Sequence, residues 1–148
     1  TSAVTADPTP IAGMKLTDHD LYQFGLIHAY AAGRLRLCSG ADELLLQASL
    51  SGAIGAIGTF YNLWGHTCQA VRRSFVTGSF DEGRRFMLAF QTAIDEILRS
   101  GSIWSFLRSA MRLRHEIEIG PPKAPLGILD KPWQDAEVER IVRQVENY

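Results

Sequence analysis

The residues best placed to do chemistry follow three short apolar runs. After residues 11–14 (IAGM) comes Lys15, then Thr17; after residues 35–38 (LRLC) come Gly40, Asp42 and Glu43; after residues 54–57 (IGAI) come Gly58 and Thr59. One amine, two carboxylates, two hydroxyls and two glycines therefore stand just past three apolar segments. A neutral lysine amine attacks carbonyl carbon, carboxylates accept hydrogen bonds from hydroxyl groups, and glycine lets another group approach the backbone closely. Each residue also has a plainer reading. A lysine closing a strand can carry its charge out to solvent on an apolar stem. Asp42 and Glu43 open a helical segment, where carboxylates stabilise the dipole and cap free N–H groups.

The elements that must position these residues are legible as a βα alternation. The three runs are short, apolar and stopped at once by polar or glycine residues, so they predict buried strands. Between the first two, residues 21–32 predict a helix with Thr17 or Asp18 as N-cap and Gly33 ending it in the left-handed conformation. Between the second and third, residues 42–50 predict a second helix closed by Gly52. Strand, helix, strand, helix, strand implies parallel strands joined by crossovers. In such sheets the working residues lie at the C-terminal strand ends, which is where Lys15, Thr17, Gly40, Asp42, Glu43, Gly58 and Thr59 fall.

From residue 61 onward the pattern is helical. Ser79 with Glu82 three residues later reads as a capping box after a stop at Gly78. Phe86, Phe90, Ile94, Ile97 and Leu98 then form one apolar stripe, ended by Gly101. A further helix starts near Ser102 with Ile103, Leu107, Ala110 and Met111 on one side; a Pro-rich connection (120–132) precedes a last helix with Val138, Ile141, Val142 and Val145. Three parallel strands cannot bury both sheet edges, and a closed barrel needs eight strands and roughly 250 residues. The expected fold is thus α/β: the last three βα units of a (β/α)8 barrel and a C-terminal helical extension. The expected organisation is a lead-in over 1–10, site-bearing βα units over 11–60 and helices over 61–148. The start at Thr1 fits a tail, a processed start or a cut inside a longer protein.

Composition narrows the function. Of 148 residues, fifteen are Lys or Arg and sixteen Asp or Glu, leaving a net charge of −1 that favours neither nucleic acid nor anionic lipid as partner. No apolar stretch reaches the ~20 residues of a membrane span and no signal-peptide pattern opens the chain, so the expected location is the cytoplasm. Cys38 and Cys68 with four scattered histidines make neither a disulfide framework nor a metal-ligand spacing. SGAIGAIG (51–58) has GxxGxxG spacing rather than the dinucleotide GxGxxG, so its glycines read as close-packing positions. His28 and His66 read as helix-surface or satisfied core residues. Trp104, Phe106, Arg108, Arg112 and Arg114 interleave aromatics with base, better explained by the solvated face of a helix than by a nucleic-acid surface.

The segments GMKLTDHDLYQF (13–24), SGADE (39–43) and GAIGTFYN (55–62), with GPPKAPL (120–126), resemble the N-acetylneuraminate lyase branch of the dihydrodipicolinate synthase superfamily, over nearly the whole chain from residue 11. The resemblance implies a class I aldolase cleaving N-acetylneuraminate to pyruvate and N-acetylmannosamine, without cofactor or metal. Lys15 matches the Schiff-base lysine and Thr17 its neighbour. Gly40, Asp42, Glu43 and Thr59 match residues holding the polyhydroxylated chain, and Gly58 a backbone contact. The amine must be neutral to react, and burial at the mouth would disfavour the ammonium. The family's carboxylate-clamping loop and proton-relay tyrosine belong to earlier strands and have no counterpart here; Tyr22 and Tyr61 are placed differently. The resemblance therefore implies an N-terminal barrel half as partner, and homotetramers of whole barrels. Two alternatives stay open: another pyruvate-type aldolase, such as a dihydrodipicolinate synthase or a 2-keto-3-deoxy sugar-acid aldolase, and a truncated, inactive binding or regulatory subunit.

Overall fold

The computed structural model describes residues 11–148; the lead-in over 1–10 lies outside the described residues. In chain order the elements are β1 (Gly13–Leu16), α1 (Leu21–Ala31), β2 (Arg36–Ser39), a 3-10 turn (Asp42–Leu44), α2 (Leu45–Leu50), β3 (Gly55–Ala56), α3 (Tyr61–Val76), α4 (Phe80–Arg99), α5 (Ile103–His115) and α6 (Asp135–Glu146). Two compact units result, one ending at Gly58 and one spanning Thr59–Tyr148.

In the first unit the three strands form a parallel sheet in the order β1-β2-β3. Lys15 lies opposite Cys38, Leu16 opposite Ser39, and Cys38 opposite Gly55. Side chains alternate between the two faces of a strand. Phe24 of α1, Leu37 of β2, Ala48 of α2 and Ala53 form a buried cluster, with Leu16, Leu21, Ile27 and Leu35 partly buried against it. Leu16 and Leu37 therefore mark the face on which α1 and α2 pack, and Lys15, Cys38 and Gly55 belong to the opposite face.

Several expectations need correction here. β1 begins two residues later than the apolar run and contains Lys15, because Leu16 supplies the strand's inward side chain. The first and third runs are not buried strands, since Ile11 and Ile54 are exposed and Ile57 is 53% exposed, whereas the second run, in the middle of the sheet, buries Leu37. The physical reason is that β1 and β3 are the two sheet edges and that, among the described residues, no helix of this unit packs on the Lys15 face, whereas parallel sheets are ordinarily covered on both sides. α1 is capped by neither Thr17 nor Asp18 but by Asp20, whose Oδ1 accepts from Gln23 N at 2.9 Å. Asp18 instead accepts from Asp20 N. Gly33 has the positive φ expected of it, 78°, but the left-handed conformation starts one residue earlier, at Ala32. The segment after β2 starts as a 3-10 turn and becomes α-helical only at Leu45.

The second unit is helical. Phe86, Phe90, Ile94 and Ile97 of the expected stripe are buried, while Leu98 turns outward. Phe90 meets Trp64 edge-on at 5.8 Å and stacks on Phe86 at 5.3 Å. Val138, Ile141, Val142 and Val145 of α6 are all buried. The capping box does not form: Ser79 is the N-cap of α4 but makes no side-chain cap bond, and Glu82 accepts from the Tyr148 hydroxyl at 3.3 Å. The Pro-rich connection is tied to the start of α5, with Lys131 N donating to Ser102 Oγ, Ser105 N to Asp130, and Trp133 Nε1 to Ser102 O.

Candidate active site

Lys15 is the third residue of β1, and its neighbour across the strand end is Gly40. Gly40 N donates to Leu16 O at 2.6 Å, which carries the sheet ladder one step past β2. A Cβ built at Gly40 would stand 2.5 Å from Lys15 Cε and would overlap the Thr17 hydroxyl. Glycine is what lets the lysine stem and Thr17 lie over this backbone. Lys15, Thr17 and Gly40 thus form one contact group at the C-terminal sheet edge. Lys15 itself is exposed, so the burial expected of the amine is not met within this chain, for the same reason that the first and third runs are exposed.

Beyond Gly40 the chain turns on Ser39, whose buried hydroxyl accepts from Ala41 N at 3.3 Å. The turn delivers two adjacent carboxylates to different places. Asp42 is 5% exposed, and its carboxylate lies on the backbone of Gly58, where any Cβ would collide with it. Glu43 is partly exposed and its Oε1 lies 2.5 Å from His19 Nε2. The N-cap positions of the 3-10 turn and of α2 are Ala41 and Leu44, neither of which makes a side-chain cap bond. Asp42 and Glu43 do lie in the first turn, where the dipole favours them. Their carboxylates are nonetheless engaged across the sheet edge with Gly58 and with His19. The close-packing reading of the glycines holds for Gly58, though just past β3 rather than within it.

Lys15, Thr17, Gly40, Asp42, Glu43 and Gly58 are therefore gathered along one edge of the first unit. Thr59 opens the second unit, where its carbonyl accepts from the backbone and side-chain nitrogens of Asn62. Residue type and spacing did not single out His19, which is brought beside this edge by its contact with Glu43, 24 residues away. The edge offers a primary amine, a hydroxyl, a buried carboxylate and a carboxylate–imidazole pair. That set suits covalent capture of a carbonyl beside hydrogen-bonding of hydroxyl groups. Among the described residues no group of three or more His, Cys, Asp or Glu is placed to hold a metal ion, and no helix is long and apolar enough to cross a membrane.

The basic and aromatic residues of α5 have a different use. Phe106 is fully buried, Arg112 pairs with Asp135 at 2.7 Å, Arg114 pairs with Glu146 at 2.7 Å, and Arg108 Nε donates to Ile119 O. The hydrogen bond that Arg112 donates to Asp135, and then the charge of Asp135, hold the Arg112 proton more firmly than usual. These bases serve intrachain pairing.

Residues 5–145 match the model of the Dihydrodipicolinate synthetase family. Among curated proteins, the N-acetylneuraminate lyase of Pongo abelii is 29% identical over 130 residues, covering 87% of this chain and 41% of that protein. The N-acetylneuraminate lyase of Mus musculus is 31% identical over 115 residues, covering 77% and 36%. Among solved structures, the N-acetylneuraminate lyase (sialic acid aldolase) of Aliivibrio salmonicida superposes with a TM-score of 0.73 at 25% identity, over 92% of this chain and 43% of that one. The Fusobacterium nucleatum N-acetylneuraminate lyase complexed with pyruvate gives 0.73 at 23% identity, over 93% and 44%. The chain spans about two fifths of the length of the curated relatives it matches. Its fold is α/β, a partial (β/α)8 barrel followed by a helical extension.

Proposed function

We propose, starting from the fact that this chain belongs to the dihydrodipicolinate synthetase family, that it carries the Schiff-base portion of a class I aldolase acting on N-acetylneuraminate. The observation that carries this reading is the contact group of Lys15, Thr17 and Gly40 at the C-terminal sheet edge, on the face away from the helices.

In this reading the neutral Lys15 amine attacks the C2 ketone of the open-chain sugar acid, and loss of water leaves a protonated imine. A base removes the proton of the C4 hydroxyl. The C3–C4 bond then breaks, its electron pair moving toward the imine nitrogen to give an enamine, while C4 leaves as the aldehyde of N-acetylmannosamine. Protonation at C3 and hydrolysis release pyruvate and restore the amine. Asp42, held beside Gly58, and Glu43 accept hydrogen bonds from the sugar hydroxyls. A buried carboxylate left without such a hydroxyl is penalised, which disfavours shorter keto acids. Thr17 orders the lysine stem.

The base, the group that grips the substrate carboxylate and the wall that encloses Lys15 come, in the same reading, from an N-terminal barrel portion. The exposed Ile54 and Ile57 and the uncovered sheet face support that need. The test is aldol cleavage by this chain combined with the N-terminal portion of the barrel. N-acetylneuraminate should be split into pyruvate and N-acetylmannosamine, and Lys15→Ala should abolish turnover. Faster turnover of a short 4-hydroxy-2-keto acid would point instead to another aldolase of the family. No turnover of either, with both portions bound to each other, would point to a binding or regulatory subunit.

A further inference from the structure

The four residues after β1's last position form a strap whose members all have assigned work except one. Thr17 lies on Gly40, Asp18 accepts from Asp20 N, and Asp20 caps α1. His19 also reaches across to the facing turn, placing Nε2 2.5 Å from Glu43 Oε1 although its own side chain is 74% exposed. Nothing buries the imidazole there, so packing does not explain its position. In the tautomer that carries its proton on Nε2, the imidazole donates to this oxygen. A carboxylate has about four acceptor sites on its two oxygens. Binding one oxygen to an imidazole restrains the plane of the carboxylate.

We infer that His19 is a positioning residue that tunes this site toward long, polyhydroxylated keto acids, by holding the Glu43 carboxylate in the orientation that receives a distal hydroxyl. The inference rests on the aldolase reading and adds to it a residue outside the reacting atoms. It follows from connectivity: Lys15 and His19 stand on either side of Thr17 on one strap, while Asp42 and Glu43 are adjacent on the facing turn. Glu43 is the more exposed of the two carboxylates, and ordering a long side chain before the ligand arrives strengthens binding. A short keto acid reaches Lys15 without needing Glu43, so its handling should not depend on His19.

The experiment compares parent, His19→Ala and His19→Gln in the assembled barrel, with N-acetylneuraminate, with a short 4-hydroxy-2-keto acid, and with pyruvate trapped on Lys15 by borohydride. His19→Ala should raise KM for N-acetylneuraminate about tenfold, as expected for losing one hydrogen bond to a charged group, with kcat within about twofold of the parent's. KM for the short acid and pyruvate trapping should not change. His19→Gln, whose amide can donate to Glu43, should restore most of the difference. An unchanged KM for His19→Ala with trapping intact overturns the role of His19 and leaves the aldolase reading standing. Equal loss on both substrates, or failure of His19→Gln to rescue, assigns His19 to the fold and overturns it too. Absence of trapping in the parent itself overturns both, and is read before any variant is made.

Discussion

The unit that carries all the candidate site residues but Thr59 and the unit that Thr59 opens are built to different standards of completeness. Of the largest fully buried side chains among the described residues, Leu37 alone belongs to the first unit; Trp64, Val71, Phe86, Phe90, Ile97, Phe106, Val138, Ile141 and Val145 all belong to the second. The first unit exposes Ile11, Met14, Ile54 and Ile57 around its sheet, and it is there that Lys15, Asp42 and Glu43 gather. A helical unit closes its own core because each helix satisfies its backbone and buries one stripe. Strands of a parallel sheet need neighbours on both edges and cover on both faces. The sheet edge that gathers Lys15, Asp42 and Glu43 is therefore left open where a closed barrel would cover it.

The largest effect that can break this comparison is in the second unit. Phe90→Ala should cost about 3–5 kcal/mol of unfolding free energy, because the ring is fully buried between Trp64 and Phe86 and leaves a cavity. Denaturant titration followed by tryptophan fluorescence measures it. Next comes Gly58→Ala, whose Cβ would collide with the buried Asp42 carboxylate; a loss of about 1–3 kcal/mol is expected, read as a lowered melting temperature. In the first unit, Ile57→Ser should change the stability of this chain by no more than about 0.5 kcal/mol, as for an exposed position. The same change should weaken association with the rest of the barrel. Were Ile57→Ser as damaging to the isolated chain as Phe90→Ala, the contrast between the units would be wrong.

The smallest effect sharpens the second unit. The Tyr148 phenol is held above its ordinary value of 10.0, first by burial, then by the charge of Glu82 and by its hydrogen bond to Glu82. The fold thus favours the neutral phenol, so this contribution is fully present below the unfolded value and is lost as pH rises through the raised one. Stability should fall above about pH 10 in the parent and fall less steeply in Tyr148→Phe, as followed by thermal melts across the alkaline range.

Much of this architecture is legible in the amino-acid order, and the failures have identifiable causes. α6 is readable residue by residue because Val138, Ile141, Val142 and Val145 repeat at helical spacing and all four are buried. The parallel alternation of strands and helices is readable because each short run is followed by a cap or a glycine. What periodicity does not carry is cover: it marks Ile54 and Ile57 as apolar and says nothing of whether anything lies over them. Nor does it fix register, so the run ending at Met14 hides that Lys15 is itself in the strand, opposite Cys38. Asp20 caps α1 in place of Thr17 and Asp18 because Asp18 turns back to Asp20 N, and only the Asp-x-Asp spacing hints at it. The contact of His19 with Glu43 depends on the pairing of β1 with β2 and has no local signature.

The central claim is that Lys15 forms an imine at the mouth of an assembled barrel. Its most direct test is borohydride reduction in the presence of pyruvate, with the two barrel portions combined, followed by peptide mapping. The account predicts one reduced pyruvyl group on the peptide containing Lys15, absent from Lys15→Ala and retained in Asp42→Ala. Label of equal strength in Lys15→Ala, or label confined to another lysine of this chain, would contradict it.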